Sequence, residues 1–172
     1  MIDLIQNTIT FFGSGFFIIG LFFASIIANA TIFFPIPLDL FTFTLAGTNP
    51  YGHLTPIIFG LIMGTGSAIG ECSGYLIGFI GRKTYQKISK KNLKKINVTK
   101  NKISKYGSLF ITLGSLTPFP FDLIGIACGT LHYKFSKFFL ATLAGKTIRY
   151  TLVAYAGLYS FELIVWILNI MH

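Results

Sequence analysis

From residue 4 to residue 38 the chain carries no Asp, Glu, Lys or Arg, and from residue 40 to residue 70 it again carries none. Each run exceeds the ~20 apolar residues that cross a bilayer. Such a stretch has few ways to fold, because backbone polar groups in hydrocarbon must be bonded within the segment, and a helix does this. The composition agrees: 53% of the residues are hydrophobic, 11% are charged, and the mean hydropathy is +0.71. A soluble domain carries about 25% charged residues. The chain reads as an all-α integral membrane protein, and a secreted or cytosolic globular domain is excluded.

The net charge of +9 would suggest nucleic acid in a soluble chain, but ten of the fourteen Lys and Arg residues fall between Arg82 and Lys105, where there is no acid. Basic loops of membrane proteins stay cytoplasmic. Segment 82–105 is therefore expected to be a solvated cytoplasmic loop leaning on anionic lipids, with no nucleic-acid partner. Asp3 flanks the first apolar run and no basic region precedes it, so no cleaved signal peptide is expected. Cys72 and Cys128 sit in apolar sequence, and His53 and His132 lack ligand spacing, so neither a disulfide framework, a metal nor a cofactor is expected. No nucleophile elbow or phosphate loop is present, and the chain is not expected to be an enzyme. Gly64, Gly66 and Gly70 imitate part of a dinucleotide fingerprint, but inside a membrane helix the match carries no meaning.

Phe11 to Ala28 reads as a first membrane helix. Two prolines and an acid then interrupt apolar sequence at Pro35-Ile36-Pro37-Leu38-Asp39-Leu40, where a helix interior would lose donors. Asn49-Pro50-Tyr51-Gly52 reads as a turn, and Thr55 to Ile80 as a crossing helix. Along it Gly66, Gly70, Gly74 and Gly78 form a stripe that admits a close neighbour, a feature that helix packing alone explains. The proline pattern returns at Pro118-Phe119-Pro120-Phe121-Asp122-Leu123. Both copies read Pro-x-Pro-x-Asp-Leu and both run on to a small-Gly pair, Ala46-Gly47 and Cys128-Gly129. Two such motifs in matching contexts point to duplication.

Orientation follows from charge. The basic block and Lys134/Lys137 both favour the cytoplasmic face, so Tyr106 to Leu131 is expected to enter and return as a re-entrant hairpin. One crossing separates the two copies, which makes them inverted. The expected fold is thus one membrane domain over residues 1–172. It holds an inverted repeat with two re-entrant helical hairpins and about four membrane helices. Repeat one covers about 11–81, the loop 82–105, repeat two about 106–159, and a C-terminal segment 160–172. Two proline-kinked helices in a plain bundle are the alternative.

Five ionisable residues fall in the apolar segments: Asp39, Glu71, Asp122, Lys146 and Arg149. A charge at the bilayer centre costs about 2.5–3.5 kcal/mol on insertion scales, so such residues are paired or functional. Asp39 and Asp122 hold equivalent motif positions, and two neighbouring carboxylates make a protonatable pair. Lys146 and Arg149, three apart, share a helix face. Arg149 offers a fork matched to phosphate or carboxylate. The competing account is that the five charges merely lock helices together as buried ion pairs.

Taken together, the first proline motif, Gly70-Glu71-Cys72-Ser73-Gly74-Tyr75-Leu76-Ile77-Gly78 with Gly81-Arg82, and the second proline motif resemble the DedA/SNARE-associated (VTT-domain) membrane proteins. Phe138-Phe139-Leu140-Ala141 with Gly145-Lys146-Thr147 is similar to the YqaA-like branch. The resemblance, over roughly Phe22 to Gly157, implies facing re-entrant hairpins marked by Pro35, Pro37, Pro118 and Pro120. It also implies lipid translocation: recycling of undecaprenyl phosphate and proton-dependent envelope homeostasis in bacterial relatives, phospholipid scrambling in eukaryotic ones. The family's acidic positions fall on Asp39 and Glu71. Arginines that members carry near the second motif are replaced here by Ser115 and Phe121-Asp122, leaving Lys146 and Arg149 as the cations available to bind an anion.

The functional expectation is a DedA-like flippase or scramblase for a phospholipid or polyprenyl-phosphate head group in a prokaryotic plasma membrane. Membrane lipids and protons are its expected partners. Lys146 and Arg149 would hold the head group, while Asp39, Glu71 and Asp122 would couple protons or gate the substrate. A non-transporting scaffold and a small ion or proton antiporter are the alternatives.

Overall fold

A computed structural model of the chain describes residues 15–30, 37–48, 52–88, 106–117 and 121–171. Pro35, Pro118, Pro120, the turn at 49–51, residues 11–14 and the basic segment beyond residue 88 lie outside them. Every described element is helical. In chain order these are α1 (Gly15–Ala30), α2 (Leu38–Gly47), a short 3-10 turn (Gly52–Leu54), α3 (Thr55–Gly70) and α4 (Cys72–Ile88). There follow α5 (Tyr106–Leu116), α6 (Asp122–Thr130) and α7 (Phe135–Met171).

Polarity is distributed inside out. Ser25, Thr42, Ser67, Glu71, Arg82, Ser115, Thr142 and Lys146 are buried, while Phe16, Phe23, Ile27, Leu40, Phe41, Leu109 and Phe110 face outward. Helices α1, α2 and α5 each bury a narrow stripe at helical spacing (Leu21, Ser25, Ala28; Leu38, Thr42, Ala46; Gly107, Ile111, Ser115). Hydrocarbon rather than water suits such a surface. Among the described residues one helical stretch, Gly52–Arg82, is long and apolar enough to cross a membrane by length and composition. Its 31 residues reach about 46 Å, more than the ~30 Å of bilayer hydrocarbon.

That stretch bends its bonding at one residue. Glu71 donates its N–H to the Ser67 carbonyl at 2.9 Å, but its own carbonyl is reached by Tyr75 N–H only at 3.4 Å. The acid that divides α3 from α4 thus lies at the centre of the fold. Helix α7 continues without interruption past Tyr159 to Met171, since no Pro or Gly follows Gly157 to stop it.

The α3–α4 stretch and α7 run antiparallel in close contact: Gly60 of α3 lies against Thr151, Gly64 against Thr147, and the Tyr75 ring of α4 meets that of Phe138 at 5.1 Å. The shorter helices attach to this pair in a pattern that occurs twice. Ser25 Oγ and the Phe22 carbonyl fill the space beside Gly66 of α3, and Ser115 Oγ and the Thr112 carbonyl fill it beside Gly145 of α7. A Cβ at either glycine would stand 2.6 Å from that carbonyl oxygen. Helix α6 then crosses α4 with the Ile126 carbonyl on Gly78, and α2 crosses α7 with the Phe43 carbonyl on Gly157. Residues 43 and 126 each stand four places after the motif aspartate. Only glycine admits a backbone that close.

The link from α6 to α7 closes the frame. His132 takes φ 53°, Tyr133 N–H reaches back to the Cys128 carbonyl at 2.9 Å and His132 N–H to the Gly129 carbonyl at 3.0 Å, the bonding of a Schellman cap. Tyr75 donates its hydroxyl to the Tyr133 carbonyl at 2.6 Å, and Arg82 donates to the Thr130 carbonyl at 2.9 Å. Apolar clusters around Tyr75, Ile111 and Phe138, and around Leu21, Phe59 and Ala154, lie on either side of a polar layer.

Candidate functional site

The polar layer is built from two pairs of side chains at helical i, i+4 spacing, Ser67/Glu71 and Lys146/Tyr150, each aimed at the facing helix. They bond crosswise. Lys146 Nζ donates to Glu71 Oε1 at 2.6 Å, and Ser67 Oγ stands 3.2 Å from the Tyr150 hydroxyl. Asn29, one residue from the end of α1, joins both links. Its Oδ1 accepts from Lys146 at 2.9 Å, while its Nδ2 donates to Ser67 Oγ and to the Ser25 carbonyl, each at 2.9 Å. The Lys146 ammonium also stands 5.4 Å over the centroid of the Phe121 ring.

This part is sealed: the Lys146 and Glu71 side chains are 5% and 4% exposed. Glu71 Oε2 and Thr142 Oγ1 are buried with no hydrogen-bond partner among the described residues. A buried carboxylate oxygen without a donor is costly, so Oε2 is the natural seat of a proton or a water.

One turn along α7 a second pair opens outward. Arg149 grips Asp39 with two nitrogens, Nε to Oδ1 at 3.1 Å and Nη2 to Oδ2, and its third nitrogen donates to the Thr117 carbonyl at 2.6 Å. Asp39 stands in the first turn of α2, and Thr117 just past the end of α5. A single guanidinium therefore ties together the two interrupted stretches of the chain. Here the side chains are 14% and 38% exposed.

Asp122, the first residue of α6, lies with its backbone and Oδ1 over Gly74, within electrostatic reach of both Glu71 and Lys146. All five expected site residues thus border one region, Glu71 and Asp39 paired with the two cations of α7 and Asp122 beside the first pair. Of the four motif prolines only Pro37 is described, immediately before α2. Asn29, Ser67, Tyr150 and the Thr117 carbonyl were not picked out from the sequence. The i, i+4 spacing of Ser67 with Glu71 and of Tyr150 with Lys146 was the legible signal. Asn29 stood out only as an amide in an otherwise apolar run. Among the described residues no group of His, Cys, Asp and Glu is arranged to hold a metal ion.

An outward apolar surface around one enclosed ion pair, a second pair at its edge and a half-buried amide defines a helical membrane protein with a polar interior. The VTT-domain model matches residues 6–159, and the chain belongs to that family, the membrane proteins of the DedA group. No curated protein and no solved structure is similar enough to this chain to count as a match.

Proposed function

We propose that the protein carries the phosphate-bearing head group of a phospholipid or polyprenyl phosphate across the bilayer, with protons as the coupling ion. One observation carries this reading: an enclosed ion pair with Asp122 beside it and a second pair opening outward stand one turn apart along α7, and the cation of the second ties both interrupted segments. Arg149, at the pair that opens outward, receives the phosphate, and Lys146 adds positive charge from the enclosed pair behind it. The layer already holds one carboxylate more than it holds cations, so an arriving anion favours proton uptake at Glu71 or Asp122. Glu71 Oε2, which lacks a donor, is suited to that proton.

The doubled contact pattern supports an inverted repeat. Phe43 on Gly157 matches Ile126 on Gly78, Ser25 beside Gly66 matches Ser115 beside Gly145, and the two long helices run antiparallel. In this reading α2 and α6 are the inner arms of two re-entrant hairpins, a layout in which broken helices meet at a binding site near the midplane. Segment 82–105 faces the cytoplasm of a prokaryotic plasma membrane, and the Phe138–Thr147 motif argues for the YqaA-like branch. The protein acts as a transporter, not an enzyme, with lipids and protons as its partners.

A second reading has support of its own: both cations already have acidic partners, as a non-transporting scaffold requires. An ion or proton antiporter is a third. Purified protein in liposomes with labelled phospholipids and polyprenyl phosphate tests all three. Wild type should flip at least one of them and respond to an imposed pH gradient, and Arg149→Ala should not. Full flipping by that variant removes Arg149 from the pathway. Ion flux without lipid flux favours the antiporter, and neither flux favours the scaffold.

A further inference from the structure

The two ion pairs are not equivalent. Glu71–Lys146 is enclosed, with both side chains at most 5% exposed, whereas Arg149 is 14% and Asp39 38% exposed. An external anion can reach only the second pair. Arg149 already spends its fork on the two oxygens of Asp39, through Nε and Nη2. A phosphate presents two oxygens in the same planar arrangement and competes for those same N–H groups.

We propose that Asp39 is a built-in competitor for the anion site: a phosphate monoester or diester displaces its carboxylate from Arg149, and this exchange breaks the ion pair between α2 and α7. The inference rests on the head-group reading above and adds to it the residue that occupies the site when no head group is there. Two local features make the exchange practicable. Asp39 lies in the first turn of α2, where the helix amides favour a carboxylate even without Arg149. Arg149 also keeps its bond to the Thr117 carbonyl, so the guanidinium stays oriented while its fork changes partner. Beyond Asp39 the helix is held by Phe43 against Gly157 and by Ala46 beside Ala154. Leu38, in the first turn, is buried with Met63 and Tyr150, so the exchange turns the Asp39 side chain outward and leaves the helix seated.

The test compares full-length wild type, Asp39→Asn and Arg149→Gln in neutral detergent, with dodecyl phosphate and inorganic phosphate as separate probes. A competitor that leaves Arg149 free about a tenth of the time weakens binding about tenfold, so Asp39→Asn should bind dodecyl phosphate about tenfold more tightly and Arg149→Gln should lose it. A second measurement needs no variant: saturating dodecyl phosphate should raise carbodiimide labelling of Asp39 in wild type, read by mass spectrometry. Wild type that binds the probe, with Asp39→Asn no tighter or Asp39 labelling unchanged, overturns the competition and leaves the head-group reading standing. No binding of either probe by wild type and Asp39→Asn overturns both. Inorganic phosphate bound as tightly as dodecyl phosphate overturns the lipid as source and indicates a soluble anion.

Discussion

The sealed ion pair allows the sharpest energetic test. Lys146→Met removes the donor to Glu71 Oε1 and to Asn29 Oδ1, and leaves a carboxylate that is 4% exposed with neither oxygen bonded. Breaking a buried pair from one side costs about 3–5 kcal/mol. Glu71→Leu leaves the opposite orphan, an ammonium left with Asn29 and the face of Phe121, with a cost in the same range of about 3–5 kcal/mol. Independent sites would put the double variant about 6–10 kcal/mol below wild type. Removing both charges removes both desolvation penalties, and the main remaining defect is the unpartnered amide oxygen of Asn29, about 1–3 kcal/mol. The double variant is therefore expected within about 3 kcal/mol of wild type, a coupling of at least about 3 kcal/mol. Unfolding in mixed micelles, followed by far-ultraviolet circular dichroism, measures all four corners. Additive losses would show that the two side chains do not act as a pair. The same double variant separates the functional readings: a stable protein that no longer flips lipid speaks for translocation, and one that still flips makes the pair architectural.

The glycines make a second test. At Gly78 and Gly157 an added Cβ would overlap a carbonyl oxygen and stand 2.8 and 2.9 Å from its carbon, against the ~3.5–4.0 Å of ordinary carbon contact. Gly78→Ala and Gly157→Ala should each cost about 1–3 kcal/mol. Gly20→Ala, with nothing within 4 Å, should gain up to about 1 kcal/mol from helix propensity. Equal melting temperatures for the three variants would refute the close crossings. Tyr75→Phe removes the 2.6 Å bond to the buried Tyr133 carbonyl and should lower stability by about 1–3 kcal/mol. An unchanged thermal midpoint would mean that water replaces the hydroxyl.

Much of this was legible in one dimension. Charge-free runs fix helices in a bilayer whatever their packing, so α1 and α3 could be read from residues 4–38 and 40–70 alone. The five intramembrane charges were visible because each is costly where it stands. Their pairing was not. Periodicity gives the face on which Lys146 lies but not the helix that arrives opposite, and Asp39 meets Arg149 across 110 positions of chain. The glycine stripe on α3 and α4 promised close packing without naming partners. It proves to be divided, Gly66 and Gly70 receiving α1 and Gly74 and Gly78 receiving α6. Asn29 escaped notice for a similar reason, since its worth lies in three acceptors and donors supplied by other segments.

The crossed attachment of the short helices also bears on how the protein is made. Helix α2, early in the chain, lies on the late helix α7, and the late helix α6 lies on the earlier α4. When synthesis has passed residue 88, Glu71 is in place but its counter-ion is still more than fifty codons away. Helix α2 likewise awaits Gly157, which is made later still. The early segment therefore has an acid without an ammonium and a groove without a lodger, and its burial is completed only when α6 and α7 arrive.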